Sequence, residues 1–202
     1  MPTVDGKNIT VGVLALQGSF AEHKKMISDL GYQVLEVRTS EDLNNVDGLI
    51  IPGGESTTMN HHLVRSDLRE NLIHAIKEGL PVYGTCAGAI LMAKNVDGKP
   101  NAEGLAVMDI ETERNAYGAQ LDSFEEEVEV NLGDELKKIH AIYIRAPKIK
   151  SVGDDVEVLC KNKAGEIVMS RQKNMLVTTF HPELTKNPSV HEYFIEKIIQ
   201  TS

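Results

Sequence analysis

Tryptophan is absent from this chain of 202 residues, and four phenylalanines with five tyrosines complete its aromatic content. An interior must therefore be built from aliphatic side chains, and a hydrophobic share of 41% is enough to build one. Cysteine is nearly as scarce: two residues exclude a disulfide-framed fold, so each thiol has to be explained singly. Long apolar runs are also missing. None approaches the roughly 18 residues that a membrane helix needs, and Met1 to Asn8 is polar, so neither a membrane span nor an export signal is expected. Positive charge is in deficit, with 21 Lys and Arg against 30 Asp and Glu and a net charge of −9. Without a clustered basic excess the chain is not a general nucleic-acid binder. A reduced, cytoplasmic protein is the expectation. No repeat, low-complexity tract or linker divides the sequence, which predicts a single domain over residues 1–202.

The first half alternates strand-like and helix-like patterns. Thr10 to Leu16 is a continuous apolar run ending in Gln17-Gly18, as for a strand buried on both faces. Phe20, Met26, Ile27 and Leu30 then fall on one helical stripe that Gly31 can terminate. Strands are expected at Tyr32–Val37, Gly48–Pro52 and Leu80–Gly84. A helix from the capping hydroxyls of Ser56-Thr57-Thr58 to Lys77, with a break at Ser66-Asp67, and another from Ala87 to Lys94 complete this half. The pattern predicts an α/β fold with a mostly parallel sheet covered on both faces. Shorter runs follow at 105–111, 127–130, 141–144, 156–160, 166–169 and 175–180, which suggest an antiparallel extension in the C-terminal half. Ser189 to Ile199 reads as a closing helix.

Gly84-Thr85-Cys86-Ala87-Gly88 lies between a strand and a helix, the pattern of a nucleophile elbow with cysteine in the serine place. Flanking glycines permit the sharp turn, and the helix N-terminus favours thiolate over thiol. Cys160 has none of this context and reads as a buried structural thiol. Met175 to Phe180 delivers His181-Pro182-Glu183 at a strand end. Residues two apart in extended backbone share a side, so Glu183 can orient the imidazole of His181 and complete a Cys-His-Glu relay. The other six histidines read as surface or satisfied structural residues. Ligands in open α/β sheets bind beyond the carboxyl ends of the strands. Gln17-Gly18, Gly53-Gly54-Glu55 and Cys86 all follow such ends, and the N–H groups of Gly54 and Ala87 suit an oxyanion hole. On the residues alone, a cysteine peptidase, a deglycase or a non-catalytic binding subunit remain alternatives to an amide hydrolase. No metal or other cofactor is expected.

Six blocks make the pattern specific: residues 14–18, Leu49 to Thr58, Gly84 to Gly88, Glu113 to Gly118, Ile144 to Pro147 and Phe180 to Leu184. Together they resemble the glutaminase subunit of pyridoxal 5'-phosphate synthase, within the triad-type glutamine amidotransferases. The resemblance implies a flavodoxin-like three-layer fold, L-glutamine as substrate, and docking on a synthase subunit that makes the vitamin B6 cofactor. It also implies that Cys86, His181 and Glu183 are catalytic and that Gly54, Glu55, Ser56, Arg114, Ile144 and Arg145, with Gln17 nearby, form the glutamine site. Arginine suits such a site because its guanidinium binds a carboxylate with two parallel hydrogen bonds. Ala89, Ala119 and Lys148 depart from the family pattern, which bears on substrate-loop packing and partner docking rather than on the relay.

Overall fold

Thr10–Leu14 forms β1, in which Val11 and Val13 point to one face of the sheet and Leu14 closes the run against the other. The computed structural model describes residues 9–114, 116, 123–133 and 135–202. Ala119 and the preceding Tyr117-Gly118 lie outside the described residues, as does the Met1 to Asn8 segment. The chain continues through α1 (Phe20–Asp29), β2 (Gln33–Val37), β3 (Gly48–Ile51), α2 (Ser56–Arg65), α3 (Leu68–Lys77), β4 (Val82–Thr85) and α4 (Ala87–Met92). The break between α2 and α3 falls where it was expected, with Asp67 in a left-handed conformation. Next come β5 (Ala93–Val96), β6 (Lys99–Pro100), β7 (Met108–Glu113), β8 (Ser123–Asn131), β9 (Leu136–Ile144) and β10 (Lys148–Val152). The last elements are β11 (Glu157–Lys161), β12 (Ile167–Gln172), β13 (Met175–Thr178) and α5 (Ser189–Tyr193), which runs on in wider π turns over Phe194–Ile199.

The main sheet begins β2-β1-β3-β4-β13, all parallel, which is the flavodoxin-like strand order. It then turns antiparallel through β12, β10 and β7, with β11 beside β12. Period-two alternation sends Ile50, Tyr83 and Leu176 to the face covered by α1 and the C-terminal helix. Leu49, Ile51, Val82 and Val177 go to the face covered by α2, α3 and α4. Three layers result, and the aliphatic core is continuous on each side of the sheet.

The structure departs from the sequence pattern around the elbow helix and in the second half. The helix expected to reach Lys94 stops at Met92, because outside groups occupy its last carbonyls. Asn101 donates its side-chain N–H to Ile90 O and Ala93 O, at 2.9 and 2.8 Å. Leu105 N–H takes Leu91 O and Val107 N–H takes Met92 O. With those acceptors filled, the chain leaves as β5 along β7. β8 and β9 are nine-residue strands that among the described residues pair only with each other, longer than their apolar runs suggested. Glu125, Glu127 and Glu129 line the outer face, which hid the strand in a charged stretch, while Val128 and Val130 are buried.

Candidate active site

Cys86 sits between β4 and α4 with φ 47° and ψ −102°, a conformation that costs a non-glycine residue of order 1–3 kcal/mol. Neighbouring elements impose it. Its N–H is fixed to Thr178 O of β13 at 2.8 Å, and α4 packs so close that a Cβ at Gly88 would lie 2.2 Å from Ile51 O. The sulfur therefore stands beyond the carboxyl ends of β3, β4 and β13 at the head of α4. As the first residue of that helix, Ala87 has an N–H with no acceptor inside it.

His181 is placed by two elements. β13 leads into it, and its N–H donates to Ile142 O of β9 at 2.8 Å. Its Nδ1 lies 2.7 Å from Oε1 of Glu183 and, facing a carboxylate, must carry the proton, which leaves Nε2 as the free ring nitrogen. All three side chains are buried, at 5 to 6% exposure. Burial alone would push the His181 pKa down, but the Cys86 sulfur and the Glu183 carboxylate outweigh it and hold the imidazolium well above its ordinary range. For Glu183, burial opposes the charge, while His23, His181 and a hydrogen bond from Ser19 pull the carboxyl below its ordinary value. The arrangement brings a cysteine, an imidazole and a carboxylate together at one end of the sheet. Cys160 is the opposite case. Burial, with Glu126 nearby, pushes its thiol up to about 12.

A cleft of about 1360 Å³ opens over this group. One wall is the Gly53-Gly54 loop, pinned from behind: Gly53 O accepts the Ser19 N–H at 3.0 Å and Gln17 Oε1 accepts the Glu55 N–H at 2.9 Å. A Cβ on Gly53 would meet His181 Cε1 at 2.3 Å, so only glycine lets the loop lie this near the imidazole. Among the described residues the Gly54 N–H has no hydrogen-bond acceptor. Glu55 and Ser56 line the same wall, but the Glu55 carboxylate caps α2 by accepting from Thr58 N and Oγ1. Across the cleft, Ile144 brings its carbonyl oxygen to 3.8 Å from the Cys86 sulfur, and Arg145 follows with φ 46°. Arg114 forms the far rim, its N–H and Nε both bonded to the Asp97 carboxylate. Gln17, Ala87 and Glu183 are not among the residues whose side chains line the cleft, although the Ala87 N–H begins the helix at its floor. Of the departures within the described residues, Lys148 pairs with Glu166 at 2.6 Å and Ala89 is buried in α4.

Two residues at this site were not singled out by the sequence. Ser19 donates its hydroxyl to Glu183 Oε1 at 2.7 Å, and His23 lies 3.5 Å from Glu183 Oε2. The sequence alone reads His23 and His140 as surface or satisfied structural residues. In space His23 has Glu183, and His140 bonds Glu125 and Glu127 across the β8–β9 ribbon. The available signal for Ser19 and His23 was their spacing. They are four apart on one face of α1, directly after the end of β1 that points at the crevice. Among the described residues no helix is long and apolar enough to cross a membrane, and no cluster of metal-binding side chains occurs.

The sequence pattern of the SNO glutamine amidotransferase family matches residues 13–200. The chain is 53% identical over 188 residues to a protein of Fervidobacterium nodosum named "Pyridoxal 5'-phosphate synthase subunit PdxT", covering 93% of this chain and 96% of that one. A PdxT of Thermosipho africanus is 51% identical, again over 93% of this chain, and covers 98% of its own. A crystal structure described as a glutamine amidotransferase superposes with a TM-score of 0.86 at 44% identity, covering 92% of this chain and 97% of that one. A putative GMP synthase subunit from Thermoplasma acidophilum, 19% identical with a TM-score of 0.70 over 97% of this chain and 96% of its own, shares the fold.

Proposed function

Because this chain belongs to the SNO glutamine amidotransferase family, we propose that it is the glutaminase subunit of a pyridoxal 5'-phosphate synthase, hydrolysing L-glutamine to L-glutamate and ammonia. A separate synthase subunit receives the ammonia. The observation that carries this reading is the strained Cys86 at a helix head, lining one cleft with a His181 that Glu183 holds at 2.7 Å.

The thiolate of Cys86 attacks the side-chain amide carbon of glutamine and forms a C–S bond, and the carbonyl electrons move onto oxygen. The N–H groups of Gly54 and Ala87 receive that oxyanion, and losing one such donor costs about 3 kcal/mol of transition-state stabilisation. His181 donates its Nε2 proton to the departing nitrogen, the C–N bond breaks, and ammonia leaves a thioester on Cys86. Water, deprotonated by the now neutral His181, attacks the thioester, and glutamate departs as the sulfur recovers its electrons. Glu183 holds the imidazole through Nδ1 throughout and stabilises its charged form. Arg114 and Arg145 at the rim offer guanidinium groups to the α-carboxylate of a free amino acid, which favours glutamine over a peptide.

The test is Cys86→Ala assayed for glutamate release in complex with the synthase subunit. Loss of all glutamine hydrolysis is expected, with the complex still formed. Ammonia release at the native rate would refute the assignment.

A further inference from the structure

Behind Glu183 lies a second pair of histidines that the hydrolytic steps do not use. His23 of α1 and His191 of α5 are both fully buried. Nδ1 of His23 lies 2.9 Å from Nε2 of His191. Nε2 of His23 lies 3.2 Å from Thr85 Oγ1 and 3.5 Å from Glu183 Oε2. That carboxylate oxygen has no hydrogen-bond partner among the described residues, the 3.5 Å approach of His23 falling short of one, and Nδ1 of His191 also has none.

The hydrogens in such a chain have one direction that leaves no donor stranded. If His191 carries its proton on Nε2, it donates to Nδ1 of His23. His23 then carries its own proton on Nε2, aimed at Glu183 and Thr85. The reverse order would bury an unpaired N–H on His191 Nδ1 and turn a lone pair of His23 toward an anion, and both features are costly in a dry interior. The titratable groups facing this pair are Glu183 and His181 from the C-terminal end of the sheet, Tyr83 from β4 and Glu22 on α1 itself. Burial, the largest influence on both rings, favours neutral imidazoles.

We propose that His23, oriented by His191, is a positioning residue that directs an N–H at the free oxygen of Glu183 and so holds that carboxylate in place against His181. This rests on the reading of Cys86, His181 and Glu183 as the hydrolytic relay. Ser19 and His181 bind Oε1; His23 Nε2 faces the oxygen that they leave, 3.5 Å away.

The experiment compares Cys86→Ala, His23→Phe and His23→Gln, each in complex with the synthase subunit, for kcat and KM with glutamine and for thermal unfolding. His23→Phe is expected to lower kcat roughly tenfold, as for loss of one hydrogen bond to a charged group. KM should stay within about twofold, because the ring does not reach the cleft. His23→Gln, whose side-chain N–H reaches a similar point, should recover most of kcat. A folded His23→Phe with native kcat, or a His23→Gln as impaired as His23→Phe, overturns the inference while an inactive Cys86→Ala leaves the relay standing. An active Cys86→Ala overturns the relay itself. Nitrogen-15 NMR of the unmutated protein needs no variant to fold: His23 should be neutral with its proton on Nε2, and a proton on Nδ1 overturns the inference.

Discussion

Replacing Gly53 by alanine tests the site where its parts have least room. The new methyl would stand 2.3 Å from Cε1 and 2.9 Å from Nδ1 of His181, and 3.4 Å from Cβ of Cys86. Carbon atoms pack at about 3.5–4 Å, so either the ring or the loop must retreat by roughly 1 Å. Neither can retreat without loss. Glu183 holds the ring at 2.7 Å and Ile142 O holds its backbone at 2.8 Å, while Ser19 and Gln17 hold the loop. A displaced ring loses its alignment with Glu183, and a displaced loop moves the Gly54 N–H that the proposed oxyanion would use. Misplacement by about 1 Å costs on the order of 100-fold, or about 2.7 kcal/mol in the barrier. The crowding itself should lower stability by about 1–3 kcal/mol. Glutamate release by Gly53→Ala with saturating synthase subunit, beside the native protein, measures the first quantity, and urea unfolding measures the second. Activity within about threefold of native at unchanged stability would refute the claim that this loop and His181 are in mutual contact.

Iodoacetamide at neutral pH should alkylate Cys86 and leave Cys160 untouched, because the Cys160 thiol is buried with its pKa near 12; peptide mass spectrometry reads the single adduct. Glu183 is held below its ordinary carboxyl value of 4.5, to about 2, so its ionisation contributes stability that is complete above pH 4.5 and lost as pH falls toward 2. The urea midpoint of Glu183→Gln should therefore gain on that of the native protein over this window, and a constant difference would contradict the assignment. Arg114→Ala should raise KM for glutamine by about tenfold with little change in kcat, as steady-state kinetics would reveal. Asp97→Ala, which frees the guanidinium from its 2.8 Å partner, should change KM by less.

The parallel half of the fold was legible because its strands are buried on both faces and advertise themselves as unbroken apolar runs such as Gly48 to Ile51. The elbow was legible for a related reason: glycines at 84 and 88 mark a crowded turn, and Gly84 would place a Cβ 2.8 Å from Met92 Sδ. What the sequence hid depends on partners distant in the chain. β5 exists because Asn101, Leu105 and Val107 end α4 early, and nothing in Ala93 to Val96 announces it. Likewise nothing in the sequence ties His23, read as a surface or satisfied structural residue, to Glu183 until α1 is laid against the end of β13, 164 positions separating Ser19 from the carboxylate it binds.

The position of β13 in the sheet has a consequence for biosynthesis. β13 is the last strand of the chain, yet it lies beside β4, and it supplies the carbonyl that fixes the Cys86 N–H as well as the backbone that carries His181. Cys86 therefore leaves the ribosome long before His181, the residue that the proposed mechanism pairs with it. Pairing over so long a separation is among the slow events of folding. The Cys86 turn and His181 thus come together only once β13 has paired with β4.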